Sequence, residues 1–190
     1  WANNSGGSTV GYLNITVIDH LPSLSYSPNN LVLTRGLQSS DLPLNATLTG
    51  LGEITSWEIN ATLPSGLNFG TNNGTIWGMP TVLQTSAVTY TIWANNSGGS
   101  SFATVNITVL EEIANIAYNP SSVTIVRGYD MANVTATKTG GIVVSWEIAP
   151  SLPSGLSFDN GTIYGLPLAN MSATTYTVYA NNSGGSASAS

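Results

Sequence analysis

Trp93-Ala-Asn-Asn-Ser-Gly-Gly-Ser100 is the stretch that decides how this chain is built, because it occurs three times. The other copies begin at Trp1 and, with Tyr in place of Trp, at Tyr179. Self-similarity at a regular interval is typical of tandem structural units, and an interval of roughly 90 residues matches one small all-β domain. The chain of 190 residues is therefore predicted to hold tandem domains.

Short stretches in which apolar and polar residues alternate predict β-strands. In residues 13–17, Leu-Asn-Ile-Thr-Val, every second side chain is apolar, as in a strand with one buried face. Eight further candidates fall in the first complete repeat: residues 24–26, 31–34, 44–49, 54–59, 67–69, 75–77, 88–94 and 102–109. No segment has a helical period of useful length, so the chain is predicted to be all-β.

The same alternation assigns side chains to the core or to the surface. It places Trp57 in the core, and Trp146 holds the equivalent position in the second repeat. In the strand candidate at 88–94 it turns Val88 inward and Trp93 outward.

Two Asn-Gly pairs mark hairpins between short strands. They stand at residues 73–74 and 160–161, which are equivalent positions of the two repeats. A type I′ turn needs a positive φ at both central residues, which Asn and Gly accept most readily. Each pair is therefore predicted to form a type I′ hairpin.

The copies divide the chain into three parts. Residues 1–17 are expected to be the last two strands of a preceding repeat, residues 22–109 a complete repeat, and residues 113–190 a second repeat that lacks its final strand. An open sheet edge beside an apolar groove needs a covering strand. This strand is expected to follow in the same polypeptide, and the alternative is a strand donated by a neighbouring subunit.

Three consecutive motifs carry a family resemblance. They are Leu-Pro-Ser-Gly-Leu-x-Phe at 63–69, Asn-Gly-Thr-Ile-x-Gly-x-Pro at 73–80 and Tyr-Thr-x-x-Ala-Asn-Asn-Ser-Gly-Gly at 90–99. With these motifs the chain resembles the immunoglobulin-like repeats of large haemolysin-type and cadherin-like surface proteins of prokaryotes. The resemblance implies tandem Ig-like β-sandwiches of Greek-key type, with seven to eight strands each. It also implies long arrays on extracellular stalks and adhesins.

Neither a catalytic site nor a metal site is expected. The single histidine, His20, lies in a junction, and no nucleophile elbow, zinc-protease motif, P-loop or dinucleotide fingerprint occurs. Relatives in the resembled family often carry acidic loops, and some bind calcium. This chain has Thr-Gly-Leu-Gly-Glu at 49–53 and Thr-Gly-Gly-Ile at 139–142 instead. Calcium prefers six to eight oxygen ligands, so no cofactor is expected, and calcium is kept only as the weaker alternative.

The composition restricts the kinds of partner. Only 6% of the residues are charged, and the formal net charge is −6. This is the opposite of the basic surface of a nucleic-acid binder, and no apolar run reaches the ~20 residues of a membrane-spanning helix. The expected partners are neighbouring repeats of the same chain or identical filament subunits, with surface glycans as a further candidate.

Two charged positions recur in both repeats. Arg35 and Arg127 are equivalent, and so are Glu58 and Glu147. They are candidates for one Arg–Glu ion pair in each domain or one across each domain junction. The alternative is that all four are solvated side chains, whose pairing contributes about 0–1 kcal/mol.

Asn-x-Ser/Thr is the most frequent functional motif, and it predicts N-glycosylation. A surface with so few charges needs another source of solubility, which bulky, hydrophilic glycans supply. The alternative is that Asn- and Thr-rich strands create such sequons by composition alone. Dense N-glycosylation points to an archaeal or eukaryotic surface, and an archaeal cell surface is our first interpretation. The eleven sequons begin at Asn3, Asn14, Asn45, Asn60, Asn73, Asn95, Asn106, Asn133, Asn160, Asn170 and Asn181.

The sequence leaves two functions open for an extracellular chain of this kind. The first is a structural segment of a long stalk or filament of glycosylated Ig-like domains. The second is an adhesin-type module that binds surface glycans or another cell through exposed aromatic side chains. The candidate contact residues are Trp77, Trp93, Tyr164 and Tyr179.

Overall fold

The computed structural model describes residues 1–50 and 52–190, in which all regular secondary structure is β. Within these residues there is no helix that could span a membrane. The predicted all-β class is therefore confirmed. The loop at 49–53, where the resembled family carries acidic residues, includes residue 51 and lies partly outside the described residues.

A short hairpin opens the chain. Strands β1 (Ala2–Asn4) and β2 (Gly7–Thr9) pair antiparallel. The strand predicted at 13–17 does not belong to any sheet, because no other strand lies beside it to form backbone hydrogen bonds. Its apolar side chains are exposed to solvent.

In its described residues the first repeat is a sandwich of eight strands. One sheet has the order β4-β10-β9-β6, and the facing layer consists of the pairs β3-β5 and β7-β8. An isolated bridge joins Ile76 of β8 to Leu44, which precedes β5. The strands are β3 (Ser23–Ser25), β4 (Asn30–Thr34), β5 (Thr47–Thr49), β6 (Ser56–Ile59), β7 (Leu67–Phe69), β8 (Ile76–Gly78), β9 (Gln84–Asn96) and β10 (Gly99–Leu110).

A parallel pairing closes the large sheet of this repeat. The second half of β10, from Asn106 to Leu110, runs parallel to β4. Alternate side chains of both strands then point into the core, where Leu31, Leu33 and Ile107 are almost fully buried. Trp57 is buried in the same core, as predicted.

One predicted core residue of the first repeat is wrong. Val88 is exposed, although Tyr90, on the same face of β9, is buried. The register of β9 against β10 shifts between the pairs Val88–Ile107 and Gln84–Val109. Such a bulge bends the strand, and here it carries Val88 away from the core.

The second repeat also has eight strands, but its sheets are smaller. The orders are β14-β17-β18, β11-β13 and β12-β16-β15. Residues 123–126, which are equivalent to β4, form no strand. Trp146 is only partly buried in this core, together with Ile148 and Phe158. The strands are β11 (Ala114–Ala117), β12 (Val134–Thr135), β13 (Thr137–Gly140), β14 (Ser145–Ala149), β15 (Leu156–Asp159), β16 (Thr162–Gly165), β17 (Thr177–Asn182) and β18 (Gly185–Ala189).

The two Asn-Gly pairs behave differently. Asn160 and Gly161 have φ of 45° and 76° and connect β15 to β16 directly, so the type I′ hairpin is confirmed there. In the pair of the first repeat Gly74 has a positive φ but Asn73 does not, and residues 70–75 form a longer loop. This hairpin contains two more residues than its counterpart, which moves the Asn-Gly pair off the strand ends.

A tyrosine, buried at Tyr26 and half-buried at Tyr118, holds each of these hairpins. The Tyr26 hydroxyl donates to the carbonyl of Gly74 at 2.6 Å, and the Tyr118 hydroxyl donates to that of Gly161 at 2.9 Å. Burial raises the pKa of both tyrosines, because the phenolate would lose its hydration.

Candidate functional site

The repeated Asn-Asn-Ser-Gly-Gly motif forms the turn between the last two strands of each repeat. In the first repeat the Oδ1 atom of Asn96 accepts a hydrogen bond from the Gly98 N–H at 2.9 Å. Gly99 follows with a φ of 132°, a conformation that residues with a Cβ rarely adopt. The copy near the N-terminus makes the same turn, with Asn4 accepting from the Gly6 N–H at 2.8 Å.

This turn also binds the linker that enters the repeat. The Asn96 amide donates to the carbonyl of His20 at 2.7 Å. The Ser97 hydroxyl accepts from the Asp19 N–H at 2.8 Å and donates to the Asp19 carboxylate at 2.6 Å. A Cβ at Gly98 would overlap the Asp19 carbonyl, so glycine is required there by close approach.

The second repeat reproduces two of these hydrogen bonds on its own linker. The Asn182 amide donates to the carbonyl of Glu112 at 2.6 Å, and the Glu111 N–H donates to the Ser183 hydroxyl at 2.9 Å. A Cβ at Gly184 would overlap the Glu111 carbonyl. We call this set of contacts between the Asn-Ser-Gly turn and the two linker residues the linker clamp.

An ion pair connects the second linker clamp to the first repeat. The Arg35 guanidinium lies 2.7 Å from the Glu111 carboxylate, and the Arg35 N–H donates to the Leu110 carbonyl at 2.8 Å. Glu111 thus contacts the first repeat through its side chain and the second through its backbone. Glu111 therefore attaches the junction to both repeats.

The candidate ion pairs between Arg and Glu need correction. Glu58 accepts a hydrogen bond from the Asn95 amide at 3.0 Å, and Glu147 accepts one from the Asn181 amide at 3.2 Å. Arg35 pairs with Glu111 instead, because both lie at the same end of the first repeat. In the described residues Arg127 has no ion-pair partner.

The sequons lie in two kinds of environment. Asn95, Asn106 and Asn181 are half-buried, and their amide groups donate hydrogen bonds to neighbouring strands. The other eight are exposed: Asn3, Asn14, Asn45, Asn60, Asn73, Asn133, Asn160 and Asn170.

The four candidate contact aromatics lie on opposite faces of the sandwich. Trp77 and Tyr164 are exposed on β8 and β16 of the smaller sheets. Trp93 is half-buried and Tyr179 exposed on β9 and β17 of the larger sheets. Because each repeat places its two aromatics on different sheets, they do not form one continuous stacking surface.

No group of three or more His, Cys, Asp or Glu side chains within residues 1–50 and 52–190 is arranged to hold a metal ion. The linker carboxylates have other contacts: Asp19 accepts from Ser97, and Glu111 pairs with Arg35. Asp19 and Glu111 occupy equivalent places, since each lies 18 residues after the first residue of a motif copy, Trp1 or Trp93.

Two β-sandwiches joined by a clamped linker define a tandem array of Ig-like domains. The family model described as "Putative Ig domain" matches residues 21–110 and 113–190, so the chain belongs to this family. The resemblance inferred from the sequence motifs is thereby confirmed.

The chain is also similar to curated surface proteins and to solved structures. The chain is 31% identical over 170 residues to the "Serine-rich adhesin for platelets" of Staphylococcus aureus strain MRSA252, covering 82% of this chain and 12% of that protein. A second S. aureus adhesin of this name is 30% identical over 169 residues, with 82% and 7% covered. The chain thus spans only a small part of these relatives' length.

Among solved structures, extracellular domains 3–5 of Drosophila OTK give a TM-score of 0.46 at 16% identity, covering 88% of this chain and 60% of that one. Titin domains in complex with telethonin give 0.42 at 19% identity, covering 93% and 95%.

Proposed function

We propose that this chain is a structural segment of a long extracellular stalk or filament built from Ig-like domains. The observation that carries the proposal is the linker clamp, which recurs at both junctions with the same atoms in the same roles. A linker held by two recurring hydrogen bonds loses the freedom of a flexible connection. Successive domains then keep a defined orientation, as a stalk requires.

The proposal includes N-glycosylation of the exposed surface. The alternation along the strands puts Asn14 and Asn106 on outward faces, and Asn73 and Asn160 belong to the predicted hairpin turns. Three of these are exposed, whereas the Asn106 amide donates to Asn30 at 2.7 Å. We therefore expect Asn106 to carry a glycan less often than the other three.

An archaeal source, the first interpretation of the sequon density, has no support among the curated relatives described above, which are staphylococcal. We propose a cell-surface location because those relatives are named adhesins. We expect no enzymatic activity and no cofactor, because Ig-like domains of this family are typically structural or adhesive modules.

Adhesion is the second candidate function. The relatives named as platelet adhesins favour it, and the exposed Trp77 and Tyr164 offer apolar surface for stacking on a sugar or a protein. The distribution of aromatics over two faces favours weak, separate contacts over one binding groove. Retention of the chain on glycan arrays, lost in a Trp77→Ala variant, would support this function.

The stalk proposal is tested by measuring the orientation of one repeat relative to the other. Since the chain has no cysteine, spin labels can be placed on single exposed positions, Thr71→Cys and Ser157→Cys. A narrow distance distribution by pulsed electron resonance is expected, and Ser183→Ala should broaden it. Ser154→Ala, at an exposed position outside the linker clamp, is the matched control. Equally broad distributions in all three would contradict a stiff junction.

A further inference from the structure

The outward face of the larger sheet in the first repeat carries three side chains in a row across adjacent strands. The register pairs Glu58 of β6 with Trp93 of β9, and Trp93 with Phe102 of β10. Residues that are directly opposite each other on neighbouring strands share one face, with Cβ atoms about 5 Å apart. One carboxylate and two aromatic rings therefore lie side by side, and we call Glu58, Trp93 and Phe102 the acidic aromatic row.

The acidic aromatic row is accessible from solvent. Phe102 is 63% exposed, Glu58 is exposed and Trp93 is half-buried. The next residue of β10, Ala103, packs against the core instead. Phe102 therefore contributes little to the core, and its ring offers apolar surface to a ligand.

A hydrogen-bond network holds the Glu58 carboxylate in place. The Asn95 amide nitrogen donates to Oε1 of Glu58 at 3.0 Å and to the Ser56 hydroxyl at 3.0 Å. The Asn95 amide oxygen accepts from the Ser100 hydroxyl. Among the described residues, the second carboxylate oxygen of Glu58 has no hydrogen-bond partner. This oxygen is available to a ligand, and the side chain that carries it is already oriented, which lowers the entropy cost of binding.

The second repeat contains the same arrangement. The Asn181 amide donates to Oε1 of Glu147 at 3.2 Å, and Glu147 pairs with Tyr179 in the register of β14 and β17. Ser188 lies opposite Tyr179, where the first repeat has Phe102. Each repeat thus presents one glutamate beside one aromatic ring, and the first repeat adds a second ring.

We propose that the acidic aromatic row binds the cationic side chains of a basic polypeptide segment. A cation over the face of a tryptophan or phenylalanine ring is attracted by the electrons of the ring. The Glu58 carboxylate adds a charge-assisted hydrogen bond beside the rings. Arginine fits better than lysine, because its planar guanidinium stacks on an aromatic ring and pairs with a carboxylate at the same time. The inference rests on adhesion, the second candidate function, and gives it a partner of stated chemistry.

Charge complementarity favours a cation over other ligands. The formal net charge of the chain is −6, which attracts a basic segment from a distance. In the part of the chain that the structure describes, Arg35 pairs with Glu111, and neither Glu58 nor Glu147 has a cationic partner. An acidic sugar would be repelled by Glu58. A neutral sugar would stack on the rings but leave the charge of Glu58 uncompensated.

The probes are a short oligo-arginine peptide and the same peptide with citrulline at every position. Citrulline has nearly the shape of arginine but no charge. Titrations of the whole unglycosylated chain are followed by nuclear magnetic resonance, in which the amide of Trp93 reports on the first repeat and that of Tyr179 on the second. We expect the arginine peptide to shift both amides and the citrulline peptide to shift neither. Oligo-lysine should bind more weakly than oligo-arginine, and high salt should weaken both.

Three variants separate the acidic aromatic row from the general charge of the chain. Glu58→Gln should weaken binding at Trp93 roughly tenfold and leave binding at Tyr179 unchanged. Asp41→Asn removes the same charge from an exposed turn outside the larger sheet and is the matched control, with an expected change below about twofold. Phe102→Ser, which gives the first repeat the residue of the second, should weaken binding roughly threefold. All three positions are exposed, so the fold should be retained.

Equal binding of the arginine and citrulline peptides would overturn the proposal. Equal losses in Glu58→Gln and Asp41→Asn would do so too, because they would reduce the binding to net charge. A chain that ignores the peptides but is retained on glycan arrays through Trp77 would overturn this inference and leave adhesion standing. If that retention were lost in Phe102→Ser, a neutral glycan would be the occupant instead. A chain that binds neither probe would remove both the row and adhesion, and the stalk proposal would remain.

Discussion

Replacing Glu111 by Gln removes one charge from the junction and leaves its shape unchanged. The Glu111 N–H still reaches Ser183, but the Arg35 guanidinium loses the carboxylate that lies 2.7 Å away. An exposed ion pair contributes about 0.2–1 kcal/mol, whereas a hydrogen bond to a charged group contributes about 1.5–3 kcal/mol. The Glu111 side chain is 9% exposed and that of Arg35 32%, so this pair falls between the two classes. We expect a coupling of about 1–2 kcal/mol, reduced by solvent screening at Arg35.

A double-mutant cycle isolates this coupling from other effects of the substitutions. Glu111→Gln, Arg35→Gln and the double variant are compared by urea denaturation, followed by tryptophan fluorescence. High salt should reduce the coupling, because Arg35 is partly solvated. Arg127→Gln is the matched control, since Arg127 has no ion-pair partner in the described part of the chain.

Two results would contradict this account of the junction. One is a coupling below about 0.3 kcal/mol, within the range of unpaired surface charges. The other is an Arg127→Gln variant that loses as much stability as Arg35→Gln. Either result would mean that the position of Glu111 depends on its backbone contacts alone.

Four further predictions concern the core, the surface and the hairpins. Ile107→Ala should lower the free energy of unfolding by about 2–4 kcal/mol, because its side chain is fully buried. Ile15→Ala should lower it by less than about 0.5 kcal/mol, because Ile15 is exposed, and equal losses would be inconsistent with these environments. Glycopeptide mass spectrometry of native material should find sugars at the exposed sequons, and bare peptides throughout would end the glycoprotein proposal. Millimolar calcium should not raise the melting temperature, and a rise of several degrees that a chelator reverses would reveal a calcium site. Because burial raises the pKa of Tyr26, the tyrosine of the unfolded chain loses its proton at a lower pH than that of the folded chain. The stability that the neutral phenol contributes should therefore be complete below pH ~10 and fall as the pH rises further. Tyr26→Phe should weaken this fall, and an unchanged dependence of stability on alkaline pH would contradict the assignment.

The strands were predictable where local chemistry specifies them. The strand at Leu67–Phe69 agrees with its prediction, because turn residues mark both of its ends. The hairpin at Asn160-Gly161 also agrees, since its two φ angles depend on those residues alone. The pair at 73–74 failed because two additional residues lengthen the loop, and a dipeptide signal carries no information about loop length.

Long-range contacts were not predictable in the same way. Val88 follows the alternation of its strand, but a bulge against β10 turns it outward. Arg35 and Glu58 recur in both repeats, so the sequence suggested that they pair, but recurrence shows only that two positions are equivalent. The partner of Arg35 is Glu111, whose counterpart in the other linker is Asp19. Because the same residue does not recur at this position, the comparison of the repeats did not reveal the ion pair.

The Asn-Ser-Gly motif of the linker clamp has two roles, because it forms the turn and also binds the linker. The sequence alone does not show which atoms serve which role. The turn itself needs only the Asn oxygen and the following glycines, as the Asn4–Gly6 hydrogen bond shows. The Asn96 amide nitrogen and the Ser97 hydroxyl are not needed for that turn, and both bind the linker. Because the turn already fixes the Asn96 side chain through its oxygen, its nitrogen is oriented towards the linker before the linker binds. The junction therefore loses little additional side-chain entropy when it forms, which suits an array in which each domain folds separately and then aligns with its neighbour.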